Sequence, residues 1–78
     1  MNYAIIVSGT TRRLNGVWES KATTLAEARK DAAGWASWVK ESLAGDGIGL
    51  NELFNPYVAV VKASDEKNEP LYEIALKG

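Results

Sequence analysis

The sequence predicts an α+β fold: a four-stranded, mostly antiparallel sheet with one long helix packed on one face, in the chain order β-β-α-β-β. Three observations predict it. Residues 24–43 form a capped, one-sided helical pattern, an Asn-Gly pair separates two short segments of strand-like composition before the helix, and two more such segments follow it. The 78 residues suffice for one small hydrophobic core. We therefore expect residues 1–78 to form a single compact domain.

The first two strands are predicted at residues 3–7 and 17–21. Residues 3–7 are aromatic or β-branched apart from one alanine, so this strand is apolar on both faces and is expected inside the sheet. Asn15-Gly16 predicts a two-residue type I′ turn, because both positions of that turn need a positive φ. A bulge is predicted at Gly9. The cross-strand pairs of this hairpin would be Leu14 with Val17, Arg13 with Trp18, and Arg12 with Glu19.

The helix has the clearest signals in the chain. Thr24 with Glu27 three positions later forms a capping-box pattern, which satisfies backbone amides at the start of a helix. Apolar residues then recur every three or four positions along one stripe, with Trp35 on its shoulder. Gly45 is the predicted stop. The stripe consists of Leu25, Ala28, Ala32, Ala36, Val39 and Leu43.

Residues 45–56 are a glycine-rich connection with a short helical turn predicted at residues 51–54. Residues 57–61 and 71–76 are the last two strands, and residues 64–70 between them form a polar turn. The apolar side chains of the connection are expected to fold over one end of the core: Ile48, Leu50, Leu53 and Phe54.

A single helix covers only one face of a four-stranded sheet, yet the first and third strands are apolar on both faces. The second face needs a cover, which residues 45–56, a partner protein or a second copy of the chain would provide. A homodimer through this face is therefore one candidate assembly. For a sheet face that bears Tyr3 and Tyr57, we expect core packing or dimerisation rather than stacking on bases.

Composition argues against several classes of function. Nine Lys and Arg oppose ten Asp and Glu, and this balance does not favour nucleic acid as a partner. The chain has no histidine and no cysteine, which removes the commonest general base, the commonest metal ligand and any disulfide. We expect no enzymatic activity and no cofactor or metal site. We also expect a cytoplasmic protein without membrane contact.

Two loops have a superficial likeness to ligand sites. Residues 45–49 are rich in glycine, but they follow the C-terminus of a helix, which repels phosphate, so a stop and a flexible turn are predicted. Residues 65–69 supply oxygen atoms without the spacing of a calcium loop. A solvated hairpin tip is predicted there.

Trp38 and Gly34 form the first candidate contact site. Trp38 lies roughly 140° from the apolar stripe, at about 100° per residue, on the side where small domains place charge. A glycine inside a helix is less favourable than alanine by about 0.8–1.0 kcal/mol. Gly34 is interpreted as a notch through which a partner approaches the indole. Alternatively, Ile48, Leu50 or Phe54 covers Trp38 within the chain.

Arg12, Arg13 and Trp18, at the hairpin tip with Leu14, form the second candidate. Guanidinium and aromatic groups suit a protein interface or a phosphate-bearing ligand. Arg13 opposite Trp18 predicts a cation–π contact. Alternatively, the tip is a solvated hairpin that stabilises only itself.

In size and element order, the whole chain resembles small phage-encoded inhibitors of bacterial defence, especially anti-CRISPR proteins. That resemblance implies a non-catalytic protein that blocks a host complex by occupying a surface. The start of the helix, Thr24-Leu25-Ala26-Glu27-Ala28, is similar to that of HicB-type antitoxin domains, where a hairpin precedes a helix with this pattern. Neither resemblance carries functional residues over to this chain.

These observations predict a non-catalytic protein–protein interaction module, a stoichiometric inhibitor of a macromolecular machine such as a CRISPR-Cas complex. Its predicted contact residues are Trp38, Gly34, Arg12, Arg13 and Trp18. The alternatives are an oligomer that binds a nucleotide signal between subunits, a HicB-like antitoxin, and an RNA-associated protein whose binding weakens steeply with salt.

Overall fold

The computed structural model describes residues 3–63 and 70–76, and in these residues it confirms the predicted class. One helix lies between the second and third strands of a four-stranded antiparallel sheet. The sheet order is β2-β1-β3-β4, so β1 and β3 are central. The elements are β1 Tyr3–Ser8, β2 Gly16–Ser20, α1 Leu25–Gly45, a 3-10 turn Leu50–Glu52, β3 Tyr57–Lys62 and β4 Tyr72–Ala75.

Of the polar turn predicted at residues 64–70, residues 64–69 lie outside the described residues. Within residues 3–63 and 70–76, no helix has both the length and the hydropathy that crossing a bilayer requires. The helix that is present is instead one-sided, with its buried residues on the stripe that faces the sheet.

The predicted N-cap of α1 is confirmed, but within the described residues only one half of the predicted capping box forms. Thr24 is the N-cap residue, and its hydroxyl oxygen accepts a hydrogen bond from the Glu27 amide at 3.2 Å. The Glu27 carboxylate in turn accepts from the hydroxyl groups of Thr23 and Thr24, at 3.1 and 3.4 Å. Leu25 departs from the prediction, because it is 37% exposed in the first turn. The other predicted stripe residues are buried: Ala28, Ala32, Ala36, Val39 and Leu43.

The end of α1 lies two residues beyond the predicted Leu43, at Gly45. The Ile48 amide donates to the Leu43 carbonyl at 2.9 Å, and the Gly47 amide donates to the Ala44 carbonyl at 3.1 Å. These two bonds form a Schellman motif. Gly47, with φ at 75°, is therefore the residue that ends the helix.

The predicted register of the first hairpin is wrong. Trp18 pairs with Ile5 across the β1–β2 ladder, and Arg12 and Arg13 lie in the loop before β2. Neither residue of the Asn15-Gly16 pair has a positive φ, so the type I′ turn does not form. Gly9 is not a bulge either, because the register of β1 is continuous up to Ser8 and Gly9 follows it.

Burial of Leu14 accounts for the longer loop. In the predicted hairpin Leu14 would stand opposite Val17, which lies on the sheet face away from α1, and would point away from the core. Instead, the Leu14 and Asn15 amides both donate to the Thr11 carbonyl, at 3.0 and 2.8 Å. The Asn15 side chain accepts hydrogen bonds from the amide and hydroxyl groups of Thr10. This turn places Leu14 in the core, where it is 2% exposed.

The connection after α1 covers one end of the core, as predicted for three of its four apolar side chains. Ile48, Leu50 and Leu53 pack against the core cluster between helix and sheet. Phe54 does not, since it is 87% exposed. The backbone of residues 54–56 passes close to Gly9, with Asn55 at φ 48°, and on this path the Phe54 side chain points to solvent.

The sheet face away from α1 exposes less apolar surface than predicted. Three of its side chains are at most 2% exposed: Ala4, Ala59 and Val61. Val17, in the outer strand β2, is 48% exposed on this face. Tyr57 lies on this face, whereas Tyr3 lies in the core beneath α1, so the two tyrosines do not share a face. The homodimer through this face stays a prediction.

Candidate functional site: the tryptophan groove

The three tryptophans of the chain form one line of contacts from the core to the surface. Trp18 of β2 stacks on Trp35 of α1, with ring centroids 4.7 Å apart and an interplanar angle of 29°. Trp35 meets Trp38 edge to face at 5.5 Å and 86°. Trp18 and Trp35 pack against the core, whereas Trp38 is 48% exposed. Trp38 is therefore an exposed indole with a rigid support.

The strand order explains why these residues meet. Trp18 stands beside Ile5 on the face beneath α1, at the outer strand β2. Trp35 lies on the shoulder of the helix stripe, so it reaches the indole of Trp18 from above. Gly16 makes room for that indole, because a Cβ atom at Gly16 would lie 2.8 Å from Cη2 of Trp18.

A groove of about 340 Å³ opens beside Trp38. Its lining residues are Asp31, Gly34, Trp35 and Trp38, which are spaced one helical turn apart on one flank of α1. We call this the tryptophan groove. A Cβ atom added to Gly34 would have no neighbour within 4 Å, so the position is open to the groove. The predicted alternative, in which the 45–56 connection covers Trp38, is wrong.

A hydrogen bond fixes the carboxylate of Asp31 at one end of the groove. The hydroxyl of Ser20, which is 5% exposed, donates to Oδ2 of Asp31 at 2.6 Å. The same hydroxyl oxygen accepts from the Ala22 amide at 3.2 Å. Among the residues that the structure describes, none donates a hydrogen bond to Oδ1 of Asp31. This oxygen is available to a ligand.

Charge is divided between the two flanks of α1. Glu27 and Asp31 lie on the flank above β2, one turn apart. Arg29 and Lys30 line the opposite flank, where the Arg29 guanidinium lies 4.5 Å from the ring centroid of Tyr72. Lys21 borders the acidic flank, but within the described part of the chain it makes no ion pair. The tryptophan groove therefore lies on the acidic flank.

The structure does not bring Arg12 and Arg13 into this groove. Arg13 binds Asp46 at the C-terminal end of α1, with 2.6 Å between Nη2 and Oδ2. Arg12 is exposed in the same loop. The predicted cation–π contact between Arg13 and Trp18 does not form, because Trp18 stacks on Trp35. Of the residues predicted at the hairpin tip, only Trp18 belongs to the same cluster as Trp38, through its contact with Trp35.

Sequence reasoning missed the part played by Asp31 and Ser20. The spacing of Asp31, Gly34, Trp35 and Trp38 was a usable signal, since residues three or four apart share one helix face. The hydrogen bond from Ser20 had no such signal. It requires β2 to lie beneath this flank of α1, which only the strand order reveals.

Substituting Gly34 by alanine is expected to stabilise the fold. The new methyl group meets nothing within 4 Å, and alanine is preferred to glycine inside a helix by about 0.8–1.0 kcal/mol. Thermal unfolding followed by far-UV circular dichroism should show a Tm higher by about 4–8 °C for a domain of this size. A lower Tm would mean that Gly34 serves the packing of the fold rather than the openness of the groove.

The groove combines apolar walls with one fixed carboxylate. Within residues 3–63 and 70–76, no group of three or more His, Cys, Asp or Glu side chains could hold a metal ion. No family model, no curated protein and no solved structure matches this chain.

Proposed function

We propose that this protein is a non-catalytic protein-binding module whose contact surface is the tryptophan groove. The observation that carries the proposal is the 48% exposure of Trp38 beside the open position of Gly34. The helix stripe that faces the sheet is buried without Trp38, so the packing of that stripe does not account for this indole. Tryptophan is enriched among the residues that dominate binding energy at protein interfaces.

The support of Trp38 suits it to this role. Its contact with Trp35, and that of Trp35 with Trp18, holds the aromatic cluster against the core. A side chain that is already held loses little conformational freedom on binding, so more of its contact energy appears as affinity. The groove lies above the outer strand β2. An extended partner segment that pairs with the outer edge of β2 would direct every second side chain toward the groove.

Such a module acts by occupying a surface, and its effect is stoichiometric. An inhibitor of a macromolecular machine, such as a CRISPR-Cas complex, is a protein of this kind. The support for that particular role is the resemblance in size and element order to phage-encoded inhibitors. The support for a protein-binding surface is the tryptophan groove.

The nucleotide-binding alternative has weaker support. It relied on Arg12 and Arg13 beside aromatic residues. Arg13 binds Asp46 and Trp18 stacks on Trp35, whereas Arg12 is exposed in the loop before β2. This alternative also requires an assembly with a pocket between subunits. Light scattering on the purified chain decides this point, because a strict monomer cannot form such a pocket.

Replacing Trp38 by alanine is expected to weaken partner binding by about thirtyfold or more, which corresponds to a hot-spot loss of about 2 kcal/mol. The fold should be retained, because half of the side chain is already exposed. The measurement is affinity capture from the native host with quantitative mass spectrometry, followed by calorimetry with each captured protein.

Phe54→Ala is the matched control for this experiment. Phe54 is also an exposed aromatic residue, at 87%, but it lies in the 45–56 connection and not in the groove. Its substitution should leave the partners and their affinities unchanged. The proposal is overturned if Trp38→Ala retains every partner, or if Phe54→Ala loses the same partners to the same extent.

A further inference from the structure

We propose that the tryptophan groove receives an arginine side chain from an extended segment of the partner protein. This inference rests on the proposed function and names the chemistry that the groove recognises.

The indole walls fit a planar cation. Trp35 and Trp38 both line the groove, where their rings meet at 86° with centroids 5.5 Å apart, and the half-exposed Trp38 presents indole surface to solvent. The face of tryptophan is the most favourable aromatic surface for a cation. A guanidinium group is flat, weakly hydrated and able to stack on such a face, which an ammonium group cannot do in the same way.

Asp31 supplies the opposite charge at a fixed position. Ser20 holds Oδ2 and thereby fixes the carboxylate of Asp31, a residue that lines the groove. A carboxylate and a guanidinium form strong, directional hydrogen bonds. Glu27 lies one turn away on the same flank. Together with Asp31 it outweighs the single positive charge of Lys21 that borders them, so the local charge is negative and favours a cation.

The groove has the size and the opening that such a side chain needs. Its volume of about 340 Å³ is enough for an extended aliphatic stem and a head group. The stem would lie over Gly34, where nothing stands within 4 Å of the missing Cβ atom. Arginine stems cover apolar surface in this manner while their charged ends reach a polar partner.

Apolar and anionic side chains fit the same groove poorly. A neutral apolar group would remove water from the carboxylate of Asp31 without replacing its hydrogen bonds, which is costly. An anionic group would meet Asp31 and Glu27 as like charges. The observations therefore favour a basic segment over an apolar helix or an acidic peptide as the occupant.

The test uses two synthetic hexapeptides that differ at one position. One carries a single arginine among glycine, serine and threonine, and the other carries citrulline, the neutral analogue of arginine, in its place. Each is titrated into the ¹⁵N-labelled full chain, and the indole N–H resonances are followed by NMR. We expect the arginine peptide to shift the Trp35 and Trp38 resonances in a saturable manner and to bind at least about fivefold more tightly than the citrulline peptide.

Asp31→Asn isolates the charge, because the amide oxygen of asparagine can still accept the hydrogen bond from Ser20. This variant should bind the arginine peptide about fivefold more weakly and lose the preference over citrulline. Glu73→Gln is the control: it removes an exposed carboxylate on the sheet face away from α1. It should leave both affinities unchanged.

The inference is overturned if the two peptides bind equally, if neither shifts the groove indoles, or if Asp31→Asn binds arginine as the unchanged chain does. The proposed function fails in a different experiment. If Trp38→Ala loses its captured partner while the arginine peptide shows no preference, the groove binds protein and only the assigned occupant is wrong. If Trp38→Ala keeps its partners, both proposals fall.

Discussion

Gly9→Ala is expected to lower the free energy of unfolding by about 2–5 kcal/mol, from the left-handed backbone and a backbone collision together. Gly9 has φ at 74°, a conformation that side chains with a Cβ atom rarely adopt. A Cβ atom there would lie 2.6 Å from the Asn55 carbonyl oxygen and 2.8 Å from both the Phe54 carbonyl oxygen and the Pro56 Cα atom. All three are backbone atoms, so no side-chain rotation relieves the contact.

Gly47→Ala separates the two causes. Gly47 has nearly the same φ, 75°, but a Cβ atom at Gly47 has no neighbour within 4 Å. Its substitution should cost only the left-handed penalty, about 1–2 kcal/mol. Urea denaturation followed by far-UV circular dichroism measures both variants. If both variants lose the same free energy of unfolding, the packing of residues 54–56 on Gly9 contributes nothing. If Gly9→Ala is so unstable that it shows no folded baseline, the expectation is met.

Leu14→Ala is expected to destabilise the fold by about 2–5 kcal/mol, the usual range for removing a buried leucine side chain. Leu14 is 2% exposed and belongs to the core cluster, although it lies in a loop. Burial of this side chain is what holds the long β1–β2 loop against the body of the domain. A small domain has little stability to lose, so we expect a large fraction of unfolded chain at 37 °C.

Leu71→Ala is the matched control for Leu14→Ala. Leu71 is chemically the same side chain but is 43% exposed, and surface substitutions usually change stability by no more than about 0.5 kcal/mol. Denaturation in urea gives both values under the same conditions. If Leu14→Ala costs no more than Leu71→Ala, the loop is a solvated hairpin of the kind that the Asn15-Gly16 pair predicts.

Local signals predicted most of the fold. The Thr24 cap, the alanine-rich stripe and the β-branched segments each act within a few residues, and the helix and all four strands are present where these signals stand. In β4, Tyr72 and Ile74 pack against the core, whereas Glu73 between them is exposed. These elements follow from periodicity because one face of each must be buried.

The errors arose where a distant contact outweighed a local preference. Asn15-Gly16 is a strong turn signal, but a turn there would have kept Leu14 out of the core. Phe54 is strongly apolar, yet the path of the backbone past Gly9 leaves it in solvent. Neither outcome can be obtained from periodicity alone, because each depends on which segments meet in space.

The candidate site was predicted in part. The helical-wheel position of Trp38 predicted an indole on the polar side of the helix. Gly34, one turn earlier, predicted an opening beside it. Trp18 was predicted as a contact residue for a different reason, as the partner of Arg13. Its stacking on Trp35 required the strand order, which places β2 beneath the acidic flank of α1.

The line of three indoles also gives the protein an intrinsic optical reporter. All three tryptophans of the chain belong to this one cluster, so its ultraviolet-excited emission arises close to the groove. Trp18 and Trp35 are near enough, at 4.7 Å, for their transitions to couple electronically. Binding of a partner at Trp38 should therefore change the wavelength and intensity of the tryptophan emission directly, without an attached dye.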